Sequence, residues 1–319
     1  MKLGRHFMAI VVALSVSSTA FAQTIGIATT PAGSFTNSVG TAIATVVVEH
    51  AGIQARVQPQ AGNVHTGVQA GAVEFAIDNY YEVLFAVNGT EDYSGQPKAE
   101  NLRVASQLLP LFVAFMVNKD SNIRSVADLK GKRISSGYGS QKAVDRIVRM
   151  YLATAGLTYD DVVQVPAQNA VAAADDFKAG KTDAFLFAVG SAKVKEVAAS
   201  VGGLKMLAAD GGEEAKARAD KVIPGAYPVT MNPNPKNEEI LEPTVVYGAD
   251  LILFVNKDVP DDTVYKVVKA MHDNKAQMAG IFPVLNGFKP DEMGKHFEGI
   301  DYHPGAKKYY EEAGIWTAK

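Results

Sequence analysis

Apolar runs of strand length alternate with stretches of helical periodicity along most of the chain. Residues 24–29 (TIGIAT) read as a strand, followed by a loop rich in Thr, Pro, Gly and Ser. Val39, Ala42, Ile43, Val46 and Val47 then recur at the spacing of one helix face, closed by Gly52 at a C-cap position. Residues 55–59 predict a second strand, 64–70 a short helix, 75–77 a third strand, and 102–109 and 112–117 two more. The plan then starts again. A strand at 133–136 leads to a helix at 142–155 with Ala143, Ile147, Val148, Tyr151 and Leu152 on one face. Strands at 162–165, 184–187 and 204–208 follow, with helices between them. This alternation predicts an α/β fold with a largely parallel sheet covered on both faces. The stretch 227–243, which contains Pro228, Pro233, Pro235 and Pro243, predicts a surface loop.

Two internal echoes organise these elements. Ala70-Gly71-x-x-Glu74-Phe75-Ala76 returns as Ala179-Gly180-x-x-Asp183-Ala184-Phe185: a helix end, a glycine suited to a left-handed turn, then a buried strand. Glu74 and Asp183 open their strands, whereas open α/β sheets place ligands at the carboxyl ends, so both carboxylates read as turn-stabilising. V-N-K-D closes an apolar strand at 117–120 and again at 255–258. Two such strands flanking a discrete α/β unit predict two α/β lobes joined by two crossover strands, hinged about V-N-K-D. The first lobe then comprises residues 23–112 and 250–319, and the second residues 113–249.

The N-terminus changes the compartment. Lys2 and Arg5 precede an apolar run over 7–16 and the small-residue stretch S-S-T-A-F-A ending at Ala22. This is the order of a secretory signal, so residues 1–22 are expected to be cleaved after Ala22 and the mature chain to reside in the periplasm. The run is short for a membrane span. The absence of Cys excludes disulfides, thiolate chemistry and a lipid anchor on Cys. The net charge is −3, and −5 without Lys2 and Arg5. With no cluster of Lys and Arg, nucleic acid is not an expected partner.

Catalytic motifs are missing. The chain has no G-x-S-x-G elbow, S-x-x-K, H-E-x-x-H or Walker loop. His296 and His303 lie among turn residues and form no metal-spaced pair. Gly137-Tyr138-Gly139-Ser140 lacks the third glycine of a dinucleotide loop. A non-enzyme without metal or cofactor is expected. The same loop is the leading binding element, because it leaves a strand and enters a helix at Ser140, Gln141 and Lys142, where free amides and the helix dipole favour an anion. Ser140 can equally cap its own helix. In the first lobe the loop Thr30-Pro31-Ala32-Gly33-Ser34-Phe35-Thr36-Asn37 repeats this design, with Phe35 as an apolar wall or a hydrophobic staple. Gly62-Asn63, Asp78-Asn79-Tyr80-Tyr81 and Phe187-Ala188-Val189-Gly190 also stand at strand ends. These tips predict a cleft that encloses a small polar solute.

At these residues the chain resembles the TAXI family, the solute receptors of TRAP (tripartite ATP-independent periplasmic) transporters. The likeness covers the opening strand with its G-S-F loop, Ala61-Gly62-Asn63, V-Q-A-G-A-V-E-F-A-I, V-A-D-L-K-G-K-R-I-S, T-D-A-F-L-F and Y-H-P-G-A-K-K-Y-Y-E-E-A-G-I from Tyr302. The last is the most specific piece; D-L-K-G-K-R is shared by many type II periplasmic receptors. The resemblance implies a type II periplasmic-binding-protein fold, a small carboxylate ligand and delivery to a TRAP membrane permease. It implies pocket residues at Ser34, Phe35, Asn63, Asn79, Ser140, Gln141 and 187–190. Relatives commonly carry Gln-Ser-Asp where this chain has Asn79-Tyr80-Tyr81. Losing that acidic group favours a keto-, hydroxy- or dicarboxylic acid over an amino acid, whose ammonium needs a carboxylate partner. A glutamate-like ligand, and the same fold serving an ABC importer or a sensor kinase, are the alternatives.

Overall fold

The computed structural model describes residues 24–61 and 63–317; the expected signal segment and Gly62 lie outside the described residues. The chain opens with β1 (Thr24–Thr29), α1 (Phe35–His50), β2 (Gln54–Pro59), α2 (Val64–Gln69), β3 (Phe75–Asn79) and α3 (Tyr80–Asn88). Ser34 Oγ accepts from Asn37 N (3.2 Å) and starts α1, whose face Val39, Ile43, Val46 and Val47 is buried. β1 pairs in parallel with both β2 and β3. Next comes β4 (Leu102–Asn118), a strand of 17 residues. Where two strands are predicted, one forms, because Pro110 sits within the ladder opposite Asp250 without ending it. At about 3.3 Å per residue, β4 reaches across both halves of the molecule.

The second α/β unit follows: β5 (Arg133–Ser136), α4 (Lys142–Thr154), β6 (Val163–Pro166), α5 (Ala170–Lys178), β7 (Phe185–Ala188), α6 (Ala192–Val201), β8 (Leu204–Met206), α7 (Glu213–Asp220) and β9 (Tyr227–Met231). The predicted loop at 227–243 therefore begins as a strand. β9 pairs with one strand, the edge position at which Pro228 is tolerated. The long β10 (Thr244–Asn256) returns antiparallel to β4, and α8 (Asp261–Asp273), α9 (Lys275–Ile281) and α10 (Pro304–Glu312) complete the first unit.

One eight-stranded sheet, with the path β2-β1-β3-β10-β4-β7 and β8 and β9 beside it, thus runs through both lobes. It is mixed rather than largely parallel, because β4 and β10 are antiparallel to each other and to most of their neighbours. The lobes meet mid-strand, near Leu109–Phe112 on β4 and Gly248–Leu251 on β10. V-N-K-D is not at the hinge. Asn118 pairs opposite Leu204 and Asn256 opposite Leu102, at the outer ends of the two strands, because each apolar run continues straight through the crossing. The two motifs do share a local device. Asn118 Nδ2 donates to Val201 O (2.8 Å) and Asn256 Nδ2 to Val68 O (2.6 Å), while each Oδ1 accepts from the amide two residues on, at Asp120 and Asp258.

The other echo is also structural. Glu74 Oε2 accepts from Gly26 N (2.6 Å) in β1, and Asp183 Oδ2 from Arg133 N (2.8 Å) in β5. Each carboxylate ties the start of its own strand to the first strand of its lobe. The Y-H-P-G-A segment clamps α10 in place. His303 Nδ1 accepts from Gly305 N (3.2 Å), Pro304 occupies the first helical turn, and Tyr310 Oη donates to Ala105 O (2.6 Å) on β4. A Cβ on Gly305 would lie 2.2 Å from the Asp261 carbonyl oxygen, so only glycine lets the two helix starts meet.

Candidate functional site

A cavity lies where the lobes meet, walled by the middle of β4 (Leu111, Val113), the end of β7 (Leu186, Phe187, Ala188) and the N-terminal ends of α1, α2, α4 and α5. About 70 Å³ is open to the centre of a water molecule. One water needs on the order of 10–15 Å³ on that measure, so the space suits a compact solute of a few heavy atoms.

One wall is rich in donors. Thr30 Oγ1 bonds to Ser34 Oγ (2.7 Å) and Thr36 Oγ1 (2.6 Å), so three hydroxyls cluster at the first turn of α1. The first-turn amides of a helix point at whatever its N-terminus faces, and there the dipole is positive. Phe35 closes this wall, edge-on to Phe282 (5.2 Å between centroids).

Beside it, at the end of the adjacent parallel strand β3, the lining turns acidic. Asp78 is the penultimate residue of β3 and Glu82 stands on the first turn of α3. Asp78 keeps part of its surface, but that surface opens on the cavity. Burial, and then the neighbouring Glu82, push its carboxyl up to about 7, against the bond it accepts from Asn79 N (2.8 Å). Burial also raises Glu82, opposed by Tyr93 Oη (2.8 Å) and by Arg146. Asn63 and Asn79 occupy N-cap positions of α2 and α3, yet neither side chain caps its helix. Both line the cavity, and buried Asn79 Oδ1 has no partner. His65 stays neutral behind this wall, its imidazole pushed down to about 4 by burial. Among the described residues, no Lys or Arg lines the cavity.

The cavity gathers Ser34, Phe35, Asn63, Asn79, Gln141 and Phe187. Four expected residues lie elsewhere. Tyr80 turns outward, donating to the Glu298 carbonyl and packing on Phe297 (4.6 Å). Tyr138 is fully buried inside the second lobe, with φ +32°. Ser140 neither caps its helix nor faces the cleft; its hydroxyl donates to Gln168 O (2.9 Å). Gly190 (φ +79°) meets the first lobe outside the cavity, where an added Cβ would sit 2.8 Å from Val284 Cγ2.

The Gly137–Ser140 loop makes a poor anion cradle, because three of its four amides and that of Gln141 are already bonded within the protein. Gly137 N donates to Asp145 Oδ1, Gly139 N to Ala167 O, Ser140 N to Gln168 O, and Gln141 N to Tyr138 O. Gln141 does reach the site, with its Oε1 accepting from Ala170 N (3.0 Å) at the start of α5. Asp78 and Glu82 were missed as site residues. Their signal lies in position: Asp78 stands at the carboxyl end of a strand, and Glu82 in the first turn of the helix that follows it.

Three solved structures share the fold. The periplasmic binding protein BugD superposes with a TM-score of 0.60 at 12% identity, covering 92% of this chain and 95% of that one. A protein of Bordetella bronchiseptica RB50 gives 0.56 at 14%, covering 91% and 98%. PhnD1 of Prochlorococcus marinus MIT 9301, in complex with methylphosphonate, gives 0.56 at 10%, covering 92% and 100%. The paired long strands β4 and β10 and the cleft between the lobes are thus those of the two-lobed α/β fold of periplasmic binding proteins. A sequence model of the NMT1-like family matches residues 27–314, and the chain therefore belongs to the NMT1-like family.

Proposed function

We propose that this protein is a periplasmic solute receptor of the TAXI kind, exported with cleavage after Ala22, that closes on a small carboxylate and presents it to a TRAP-type membrane permease. It acts as a receptor, not as a catalyst. Its lobes are residues 23–112 with 250–319, and 113–249, closing about the middle of β4 and β10. The carrying observation is one cavity lined both by hydroxyls and helix amides at α1 and, at the neighbouring strand end, by Asp78, Asn79 and Glu82.

The solute's carboxylate sits at the α1 N-terminus among Thr30, Ser34 and Thr36, with Asn63 and Gln141 beside it. Its other end carries hydrogen-bond donors toward Asp78 and Asn79. The carboxylate class expected from sequence is kept, but the order within it changes. Tyr80-Tyr81 does not replace the acidic group in the cavity, because Asp78 supplies one. An α-amino acid, or after it a hydroxy acid, fits better than a keto- or dicarboxylic acid, which would set a second acceptor against Asp78.

A thermal-shift screen of the mature chain against amino, hydroxy, keto and dicarboxylic acids, sugars and nucleotides tests this reading. A solute at 100 times its dissociation constant adds about 2.7 kcal/mol of stability. Amino or hydroxy acids are expected to raise Tm; stabilisation by sugars or nucleotides alone overturns the carboxylate assignment.

A further inference from the structure

Arg146 lies on α4 in the second lobe, between Val144 and Ile147, which line the cavity, and is 3% exposed. Its guanidinium faces three carboxylates of the first lobe. Nη2 lies 2.6 Å from Asp92, Nη1 3.3 Å from Glu91, and Nε 3.5 Å from Glu82 Oε1. The Phe85 ring of α3 packs beneath the guanidinium carbon (4.8 Å). Glu91 holds its backbone at φ +52°, a left-handed conformation that costs a non-glycine residue free energy.

We propose that Arg146 is the clasp that holds the lobes closed over a captured solute, acting as a positioning residue behind the cavity wall. The inference rests on the two-lobed receptor reading. Three separate carboxylates can meet one planar fork in only one relative placement of the lobes, so the arrangement selects a single closed geometry. Opening rehydrates Arg146 and Glu82, the two buried members, whereas removing the partly exposed Glu91 and Asp92 leaves the buried guanidinium short of partners. Glu82 links the clasp to the solute, since it lines the cavity and faces Arg146.

The chain has no Cys, so Thr41→Cys and Lys195→Cys provide two unique label sites on opposite sides of the groove between the lobes. Distances between spin labels at these sites, recorded by pulsed electron resonance on the full mature chain without added solute, report the ratio of closed to open molecules. Arg146→Met is expected to lower that ratio at least fivefold. Glu91→Gln with Asp92→Asn, at partly exposed positions, is expected to do the same without the risk of misfolding. Lys181→Met, whose ion-pair partner Asp176 lies in its own lobe (2.7 Å), is expected to change it less than twofold. Two distances with an unchanged ratio in the Arg146 and carboxylate variants, even with Tm lowered, overturn the clasp alone. A single distance shared by every variant overturns the clasp and lobe closure together.

Discussion

Tyr151 Oη accepts a hydrogen bond from the backbone nitrogen of Tyr247 (2.8 Å) and donates to the Val113 carbonyl, inside the ladder between the two crossover strands. Val113 and Tyr247 are cross-strand partners, so a hydroxyl from α4 stands in for a direct ladder bond where the lobes meet. Tyr151→Phe leaves a buried N–H and C=O without that bridge, at a cost of about 1–3 kcal/mol. Urea unfolding measures the loss. A change below about 0.5 kcal/mol would mean that the strands close up and re-form the direct bond.

Gly248 is the neighbouring point of close approach. A Cβ there would lie 2.6 Å from Phe112 Cε1 and 3.5 Å from Tyr227 Cε2, between β4 and β9, the two strands that flank β10 at this point. Gly248→Ala is expected to destabilise by about 1–3 kcal/mol through overpacking. Adding Phe112→Leu makes room, so the double variant should recover part of the loss. Strict additivity in that cycle would disprove the contact as the cause.

Glu74 and Asp183 test the claim that the echoed carboxylates are structural. Glu74→Gln and Asp183→Asn each weaken a charge-assisted bond to a strand-opening amide, and about 1–2 kcal/mol of lost stability is expected from each. Solute affinity should stay within twofold, because neither residue lines the cavity. Asp183 adds a pH signature. Its side-chain bond to Arg133 holds its carboxyl below the usual 3.8. A depressed carboxylate stabilises the fold above its unfolded pKa and loses that contribution as pH falls through the folded value. Asp183→Asn should therefore flatten the acid side of the stability profile below pH 4.

How far the sequence carries depends on whether a feature is local. The strand of TIGIAT and the helices α1 and α4 follow from periodicity and turn chemistry within a dozen residues, whereas Glu74 and Asp183 reach Gly26 and Arg133 about 50 residues away, which turn chemistry alone does not give. Pro110 misled because its missing N–H is an objection only where a ladder bond is needed, and that depends on the partner strand. Tyr80 misled for a similar reason: its ring is drawn outward by Phe297, more than 200 residues away in the chain. The Gly137–Ser140 loop carries the composition of an anion site, but Asp145, Ala167 and Gln168 claim its amides through contacts that spacing does not reveal. Asp78 was legible as a strand end. Its place beside the hydroxyls of α1, at the end of the adjacent strand, required the strand order.

That juxtaposition yields the sharpest test of the solute's charge. Burial and then Glu82 push the Asp78 carboxyl up to about 7, above the ordinary 3.8, because both disfavour its anion. A raised carboxyl contributes stability that is complete below the unfolded pKa and is lost as pH rises through the folded one, so the empty protein should weaken between about pH 4 and 7. Binding carries the complementary sign. An ammonium beside Asp78 favours its ionised form, so affinity should rise by up to about tenfold per pH unit below 7 and level off above it. A solute presenting a second carboxylate needs Asp78 protonated, and its affinity should instead fall above pH 7. Titration calorimetry between pH 5 and 9, in two buffers of different ionisation enthalpy, reads both the slope and the proton transferred. Release of a proton on binding is the expected outcome, and Asp78→Asn should abolish the slope. Proton uptake with affinity falling above pH 7 would reinstate a keto- or dicarboxylic acid as the solute.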